Sequence, residues 1–228
     1  MTCAMPTDSP TVYIIDDDPS MRAALEDLLA SVGLRAAAFS GTRDFLAHAP
    51  ADGPSCLILD VRMPEQSGTD FHVQMEALGL RMPVIFITGH GDIHMAVKAI
   101  KHGAADFLTK PFVDQDLIDA VQAALAADGR RLRQEQARQA LRQRWESLNA
   151  GERDVLALVA QGLLNKQIAA QLGVKEVTVK VRRARVMQKM QAGSLAELVR
   201  LFDQLGLPSG AQPAPDGHRV PGRRAELK

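Results

Sequence analysis

The sequence predicts a doubly wound α/β domain with a five-stranded parallel sheet, followed by a small all-α domain of four helices. Three observations carry this. Strand patterns and helix patterns alternate five times before residue 128, which is the signature of βα units. Residues 147–206 show helical spacing and glycine stops but no strand pattern. The formal net charge of zero divides into −9 over residues 1–127 and +9 over 128–228, as suits two domains with different partners.

Composition narrows the classes. With 228 residues, 46% hydrophobic and 24% charged, the chain is too apolar to be disordered overall. Its apolar runs (CLIL, VIFI, LALVA) fall far short of the roughly 18 residues of a membrane span. The opening MTCAMPTDSP lacks the basic and apolar regions of a signal peptide. Two cysteines, Cys3 and Cys56, argue against a disulfide framework and a cysteine zinc site. A cytoplasmic protein without a membrane partner is expected.

The elements follow in order. Strands are expected over 11–15, 34–39, 56–59, 84–88 and 106–108. The first, third and fourth are short apolar runs, as in strands buried on both faces. The second, LRAAAF, is placed by its position in the alternation. Helices are expected over 20–31, 42–48, 68–78, 93–102 and 114–127, with Ser40 and Asp92 as N-caps and Gly33, Gly79 and Gly103 as stops. Residues 128–146 have the composition of a solvated helical linker. Leu141, Trp145 and Leu148, spaced i, i+4, i+7, give one end of it an apolar face. Beyond it, Asn149 with Glu152 and Ser194 with Glu197 have capping-box spacing, and Asn165 is a candidate cap. The organisation is thus a tail over 1–9, an α/β domain over 10–127, a linker over 128–146, a helical domain over 147–206 and a disordered tail over 207–228.

In an open parallel sheet, chemistry collects at the carboxyl ends of the strands. Asp16, Asp17 and Asp18 end the first strand, Asp60 the third and Thr88 the fourth, and Lys110 follows the fifth. Carboxylates crowded in one crevice call for a cation, and an all-oxygen set suits Mg²⁺. Lys110 and Thr88 would then grip a phosphoryl group. The plain alternative is that Asp16–Asp18 cap the next helix. That leaves Asp60, Thr88 and Lys110 unexplained. The six histidines have no metal-ligand spacing and are expected to be solvated or packed, and Cys56 to be a small core residue.

VYIIDDDPSMR, CLILDVRMPEQSG, VIFITGHGD and ADFLTKPF resemble the four signature segments of response-regulator receiver domains, over about residues 10–127. The resemblance implies a flavodoxin-like fold with Asp60 as phosphoacceptor. It implies Mg²⁺ held by Asp16, Asp17, Asp60 and the main-chain carbonyl of Arg62. It makes Thr88 and Phe107 the switch residues, gives Lys110 the phosphoryl oxygens, and implies a cis Lys110–Pro111 bond. Phosphoryl transfer of this kind is self-modification from a donor, not turnover by an enzyme.

In the second half, NKQIAAQLGV is a short helix ending in a glycine turn, and a basic helix over 176–190 follows. That is the order of a helix-turn-helix DNA reader, with a solvated charged helix as the alternative. Val179, Val186 and Met190 are spaced as its buried face. LNAGERDVLALVAQGLLNKQIAAQLGVKEVTVKVRRARVMQKM resembles the LuxR/FixJ-type domain. This implies DNA contacts from Thr178, Lys180, Val181, Arg182, Ala184, Arg185 and Lys189. Lys175 stands where the family often has a capping Ser or Thr, and Arg182 where it often has His.

The expected whole is a two-component response regulator. Its implied partners are a sensor histidine kinase, promoter DNA, RNA polymerase and, once phosphorylated, a second copy of itself. Dimerisation or release of the DNA-binding domain would regulate transcription, by activation in the main reading. Two rival readings of the sequence remain. One is a haloacid-dehalogenase-type phosphatase with Asp16 as nucleophile, suggested by the Asp16-x-Asp18-x-Ser20 pattern. The other is a constitutive DNA-binding protein with a non-signalling receiver.

Overall fold

The computed structural model describes residues 9–48, 53–89 and 100–206. In chain order the elements are β1 (Thr11–Ile15), α1 (Pro19–Ser31), β2 (Arg35–Phe39), α2 (Thr42–Ala47), β3 (Ser55–Asp60), α3 (Gly68–Met75), β4 (Val84–Thr88) and β5 (Asp106–Thr109). A long helix α4 (Asp114–Glu146) follows, then α5 (Ala150–Ala160), α6 (Asn165–Leu172), α7 (Glu176–Met190) and α8 (Leu195–Gln204). The expected helix over 93–102, apart from its last residues, lies outside the described residues. So do Asp92, His90, His94, Cys3, His218 and the tail from 207.

The strands form one parallel sheet in the order β2-β1-β3-β4-β5. Side chains alternate across it. Val12, Ile14, Cys56, Ile58, Ile85 and Ile87 face one way, against Leu25 and Leu29 of α1 and Leu117 and Val121 of α4. Tyr13, Ile15, Leu57, Leu59 and Phe86 face the other, against Phe45 of α2 and Phe71 and Met75 of α3. β1, β3 and β4 are buried along their whole length, whereas β2 is half-exposed. That explains its weak composition: an edge strand of alanines needs less apolar surface. Burial pushes the Cys56 thiol up to about 12, with the nearby Asp128 adding to it, so it packs as an inert core group.

Local signals behave unevenly. Asp18 caps α1 by accepting from Ser20 N–H at 2.8 Å. Gly33, Gly79 and Gly103 take positive φ where the sequence predicts stops. Ser40 does not cap α2; Gly41 occupies that position, and the Ser40 hydroxyl donates to Asp44 instead, at 2.8 Å. α3 ends at Met75 rather than at 78, because the chain turns at Gly79 with Leu80 N–H bonded back to the Met75 carbonyl.

The largest departure is α4. The helix expected over 114–127 and the helical linker expected after it are one element, which runs unbroken for 33 residues. Asp128 and Gly129, where the two meet, are both buried, Gly129 against Pro54 and Asp128 against the start of β3. The compact units of the chain divide inside this helix, between Glu135 and Gln136.

In the second unit, Leu141 and Leu148 pack with Val155, Leu156, Val159, Ile168, Val179, Val186, Met190, Leu198 and Phe202. Trp145 packs against this core, 5.8 Å from the Phe202 ring, with the Arg153 guanidinium over its own ring at 5.4 Å. Asn149 and Glu152 make the full capping box of α5. Ser194 caps α8 through Glu197 N–H, while the Glu197 carboxylate accepts from Gly193. Asn165 is not the cap of α6. Leu164 precedes the helix, and the Asn165 side chain accepts from Arg183 of α7 at 3.1 Å.

Candidate functional site

The carboxyl edge of the sheet carries the acidic crevice. β1 delivers Asp16 and β3 delivers Asp60, on neighbouring strands joined in register from Thr11↔Ser55 to Ile15↔Leu59. Asp16 is fully buried and Asp60 is 7% exposed. Asp17 is exposed beside them, and carboxylate oxygens of all three lie within 4.8 Å of one another. Lys110 reaches in from beyond β5. Its ammonium lies 2.7 Å from Asp16 Oδ2 and 3.7 Å from Asp60 Oδ2. The Lys110–Pro111 peptide bond is cis, and Lys110 N–H donates to the Thr88 carbonyl at 2.7 Å.

The electrostatics follow from this crowding. Burial pushes the Asp60 carboxyl above the usual carboxylate range; Lys110 opposes that, and Asp16 and Asp17 add to it. Arg62 N–H approaches Asp60 Oδ1 at 3.4 Å and favours the charged form. Thr88 is fully buried at the end of β4, next to this crevice by strand order. Phe107 on β5 is half-buried, its ring 6.5 Å from Phe86. Asp18 stands apart: it caps α1, so capping explains one of the three consecutive aspartates and not the other two.

Two supporting residues lie at the ends of the segments VYIIDDDPSMR and CLILDVRMPEQSG, and their roles come from the fold. Arg22 of α1 donates one guanidinium nitrogen to the main-chain carbonyls of Asp16 and Asp17, at 2.7 and 3.0 Å, and so holds the acidic turn. Gly68 lets the loop after β3 close. A Cβ there would lie 2.2 Å from the Asp60 carbonyl oxygen.

Comparison with known proteins matches both parts of the chain. Residues 12–122 match the response regulator receiver domain, and 146–202 match the bacterial regulatory proteins of the luxR family. Nodulation protein W of Bradyrhizobium diazoefficiens is 48% identical over 196 residues, 86% of each chain. Transcriptional regulatory protein FixJ of Azorhizobium caulinodans is 46% identical over 213 residues, 93% of this chain and 98% of that one. The chain belongs to the response regulators. The solved structure of response regulator StyR is similar throughout, with a TM-score of 0.81, 44% identity, and 86% of this chain and 99% of that one covered.

The response regulator is thus a receiver joined to a LuxR-type helix-turn-helix domain that regulates transcription. In that domain α6 and α7 are joined by a tight turn at Gly173, whose φ is 64°. Val179, Val186 and Met190 are fully buried, which turns the opposite side of α7 to solvent. Lys180, Val181, Ala184 and Arg185 are exposed there and Thr178 is half-exposed. Val177 and Gln188 share this side. Helical spacing from Val181 finds both, but charge does not. Arg182 packs over Gly151 of α5, where a Cβ would meet its guanidinium at 2.7 Å. Lys175 precedes α7 without a side-chain cap bond, as lysine must.

Lys189 is the DNA contact that the resemblance sets near phosphates, and within the domain it also has a partner. In the response regulator its ammonium binds the buried Glu152 carboxylate at 2.7 Å and the Ser147 carbonyl at 3.0 Å. The Lys189 side chain stays 37% exposed, and Arg185 adds its charge to the field on Glu152. Among the described residues, His48 lies against Tyr13 and Phe39 and His72 edge-on to Phe86, and burial holds the His72 imidazole below its usual range, with His102 adding to this. Among the described residues, no helix is long and apolar enough to cross a membrane.

Proposed function

We propose that the response regulator takes a phosphoryl group onto Asp60 from a sensor histidine kinase, dimerises, and activates transcription at promoters that its α7 helix reads. The observation that carries this is the Lys110 ammonium held between the buried carboxylates of Asp16 and Asp60 at the carboxyl edge of the sheet. A structural ion pair needs one carboxylate. Here a second, nearly buried one is left with a raised pKa at the mouth of the crevice.

An Asp60 carboxylate oxygen attacks phosphorus as the bond from phosphorus to the donor imidazole nitrogen breaks. Lys110 shares the negative charge of the incoming oxygens. Catalysis of this kind is mostly positioning and electrostatics. The oxygen-only set of Asp16, Asp17 and Asp60 fits a hard divalent ion, because three carboxylates face one ammonium. Asp16, Asp17, Asp60 and the Arg62 main-chain carbonyl would hold Mg²⁺, which when bound neutralises phosphoryl oxygens. Thr88 then turns its hydroxyl toward the phosphoryl group and Phe107 fills the space it leaves, reshaping the surface around β5.

The phosphatase rival needs Asp16 as an open nucleophile. Asp16 is fully buried, bound to Lys110 through one oxygen and to Asp18 N–H through the other at 2.9 Å. On the output side, Thr178, Lys180, Val181, Ala184 and Arg185 would meet DNA, with Arg182 on the flank. RNA polymerase would be met from the bound dimer.

Labelling by a small phosphodonor in Mg²⁺ tests the reading. Asp60→Asn should abolish it and Asp18→Asn should leave it largely intact; full labelling of the Asp60 variant would overturn the assignment. With beryllofluoride, dimerisation and a rise of about 5–150-fold in operator affinity are expected, the usual range of allosteric coupling.

A further inference from the structure

We infer that Arg183 is a positioning residue for DNA reading: by holding Asn165 it fixes the angle between α6 and α7, and it does not itself touch DNA. The inference rests on the reading that α7 enters DNA.

Arg183 sits among the cations of α7, yet on the wrong side of the helix for a DNA contact. It comes four residues after Val179 and three before Val186, and both valines are fully buried. On a helix that spacing puts all three on one side. Arg183 is therefore turned toward the body of the domain, away from the exposed side that carries Val181 and Gln188. It is half-buried, and its Nη1 donates to Asn165 Oδ1 at 3.1 Å.

The place of that partner gives the bond its leverage. Asn165 is the first residue of α6, and Gly173 caps the other end. The two helices are thus joined twice, by the turn at Gly173 and by the Arg183–Asn165 bond at the far end of α6. A single joint leaves an angle free, and a second one fixes it. At about 1.5 Å per residue, Asn165 lies roughly 12 Å along α6 from Gly173, so a slip of about 1 Å at the bond turns α6 against α7 by roughly 5°. Apolar packing by itself accommodates crossing angles that scatter by about 15–20°. The bond between Arg183 and Asn165 is the narrower constraint.

That angle matters for specificity more than for affinity at large. In a helix-turn-helix pair the first helix lies across the DNA backbone while the second enters the groove. One angle must therefore suit phosphates and base edges together. A pair held at the wrong angle still meets phosphates, which every duplex offers, and loses base edges, which carry the sequence. A tie that served stability alone would leave the ratio of specific to random binding untouched.

The test uses the full chain with beryllofluoride, a duplex selected from a random-sequence pool and a scrambled duplex of the same composition. Arg183→Ala and Asn165→Ala should each lower affinity for the selected duplex about fivefold, as expected for one hydrogen bond, with a smaller change on the scrambled one. The double variant should lose no more than either single variant, since both remove the same bond. Salt dependence should keep its slope in Arg183→Ala, because no phosphate contact has gone. Asn165→Asp keeps the acceptor, so it should preserve the ratio of selected to scrambled affinity even where its added charge weakens both. Losses that multiply in the double variant, or a slope shallower by about 0.9 in Arg183→Ala, would show Arg183 touching DNA itself and overturn the inference. A lowered melting temperature with an unchanged affinity ratio would reduce the bond to a structural tie, and would overturn it as well. Failure to enrich any duplex would overturn the DNA-reading role of α7 and the inference together.

Discussion

The carboxylate of Asp128, on α4, accepts the main-chain N–H of Ser55 at the start of β3, at 2.9 Å. Asp128 is 1% exposed and also takes two bonds from Arg131, through Nε and Nη2, each 2.8 Å long. Arg131 continues to Glu135 at 3.0 Å, and Glu135 lies 3.8 Å from Arg81 before β4. The part of α4 that the sequence reads as linker is thereby bonded to the amino edge of the sheet, at the end of β3 opposite Asp60. Asp128→Ala should lower receiver stability by about 2 kcal/mol, since it leaves a buried N–H without an acceptor. Denaturant unfolding measures the loss. Hydrogen exchange should show Ser55 and residues 128–135 losing protection together, and unchanged protection there would refute the link.

Asp18 has one visible task, the cap of α1. Asp18→Ala should cost roughly 1 kcal/mol, and Asp18→Asn much less because asparagine also caps. Both variants should still be labelled on Asp60. Loss of labelling in the asparagine variant would show that Asp18 belongs to the acidic site.

Gly68 is where the loop after β3 passes closest to Asp60. Because an added methyl would collide with backbone, which cannot swing aside, Gly68→Ala should destabilise the receiver by about 1–3 kcal/mol. It should also slow phosphoryl labelling by displacing the Asp60 main chain. A variant as stable and as quickly labelled as the wild type would contradict this.

The buried Glu152–Lys189 pair makes the DNA-binding domain acid-sensitive. The Lys189 hydrogen bond, against burial and helped by Asn149 N–H, holds the Glu152 carboxyl below its ordinary value of 4.5. A lowered folded-state pKa means stability that is fully present above about that value and is lost as pH falls through the folded one. Thermal unfolding across this range should therefore show a falling contribution that Glu152→Gln removes. Lys189→Ala should cost roughly 2 kcal/mol, less than for a fully buried pair because Lys189 is partly solvated. It should weaken DNA binding only as far as it unfolds the domain, whereas Lys180→Ala should weaken binding at unchanged stability.

The sequence by itself determined the order of the elements and set Asp16, Asp17, Asp60, Thr88 and Lys110 at or just beyond strand ends. Those features are local or periodic. Alternation at period two sorts Ile14 from Ile15, and a parallel sheet brings its strand ends to one edge, so residues at those ends meet whatever their separation in the chain. The tertiary structure decided what depends on a partner distant in sequence. Residues 114–127 and 128–146 read as a helix and a separate linker until Ser55 and Pro54 lie against Asp128 and Gly129. Asn165 looks like a cap until Arg183 takes its oxygen, and Glu152 gives Lys189 a partner that no spacing predicts. Arg22 and Gly68 lie within the signature segments, but their tasks are contacts with main-chain atoms, which a pattern of side chains does not specify. In each case burial removes water as the competing partner, and the nearest complementary group then sets the role of the residue.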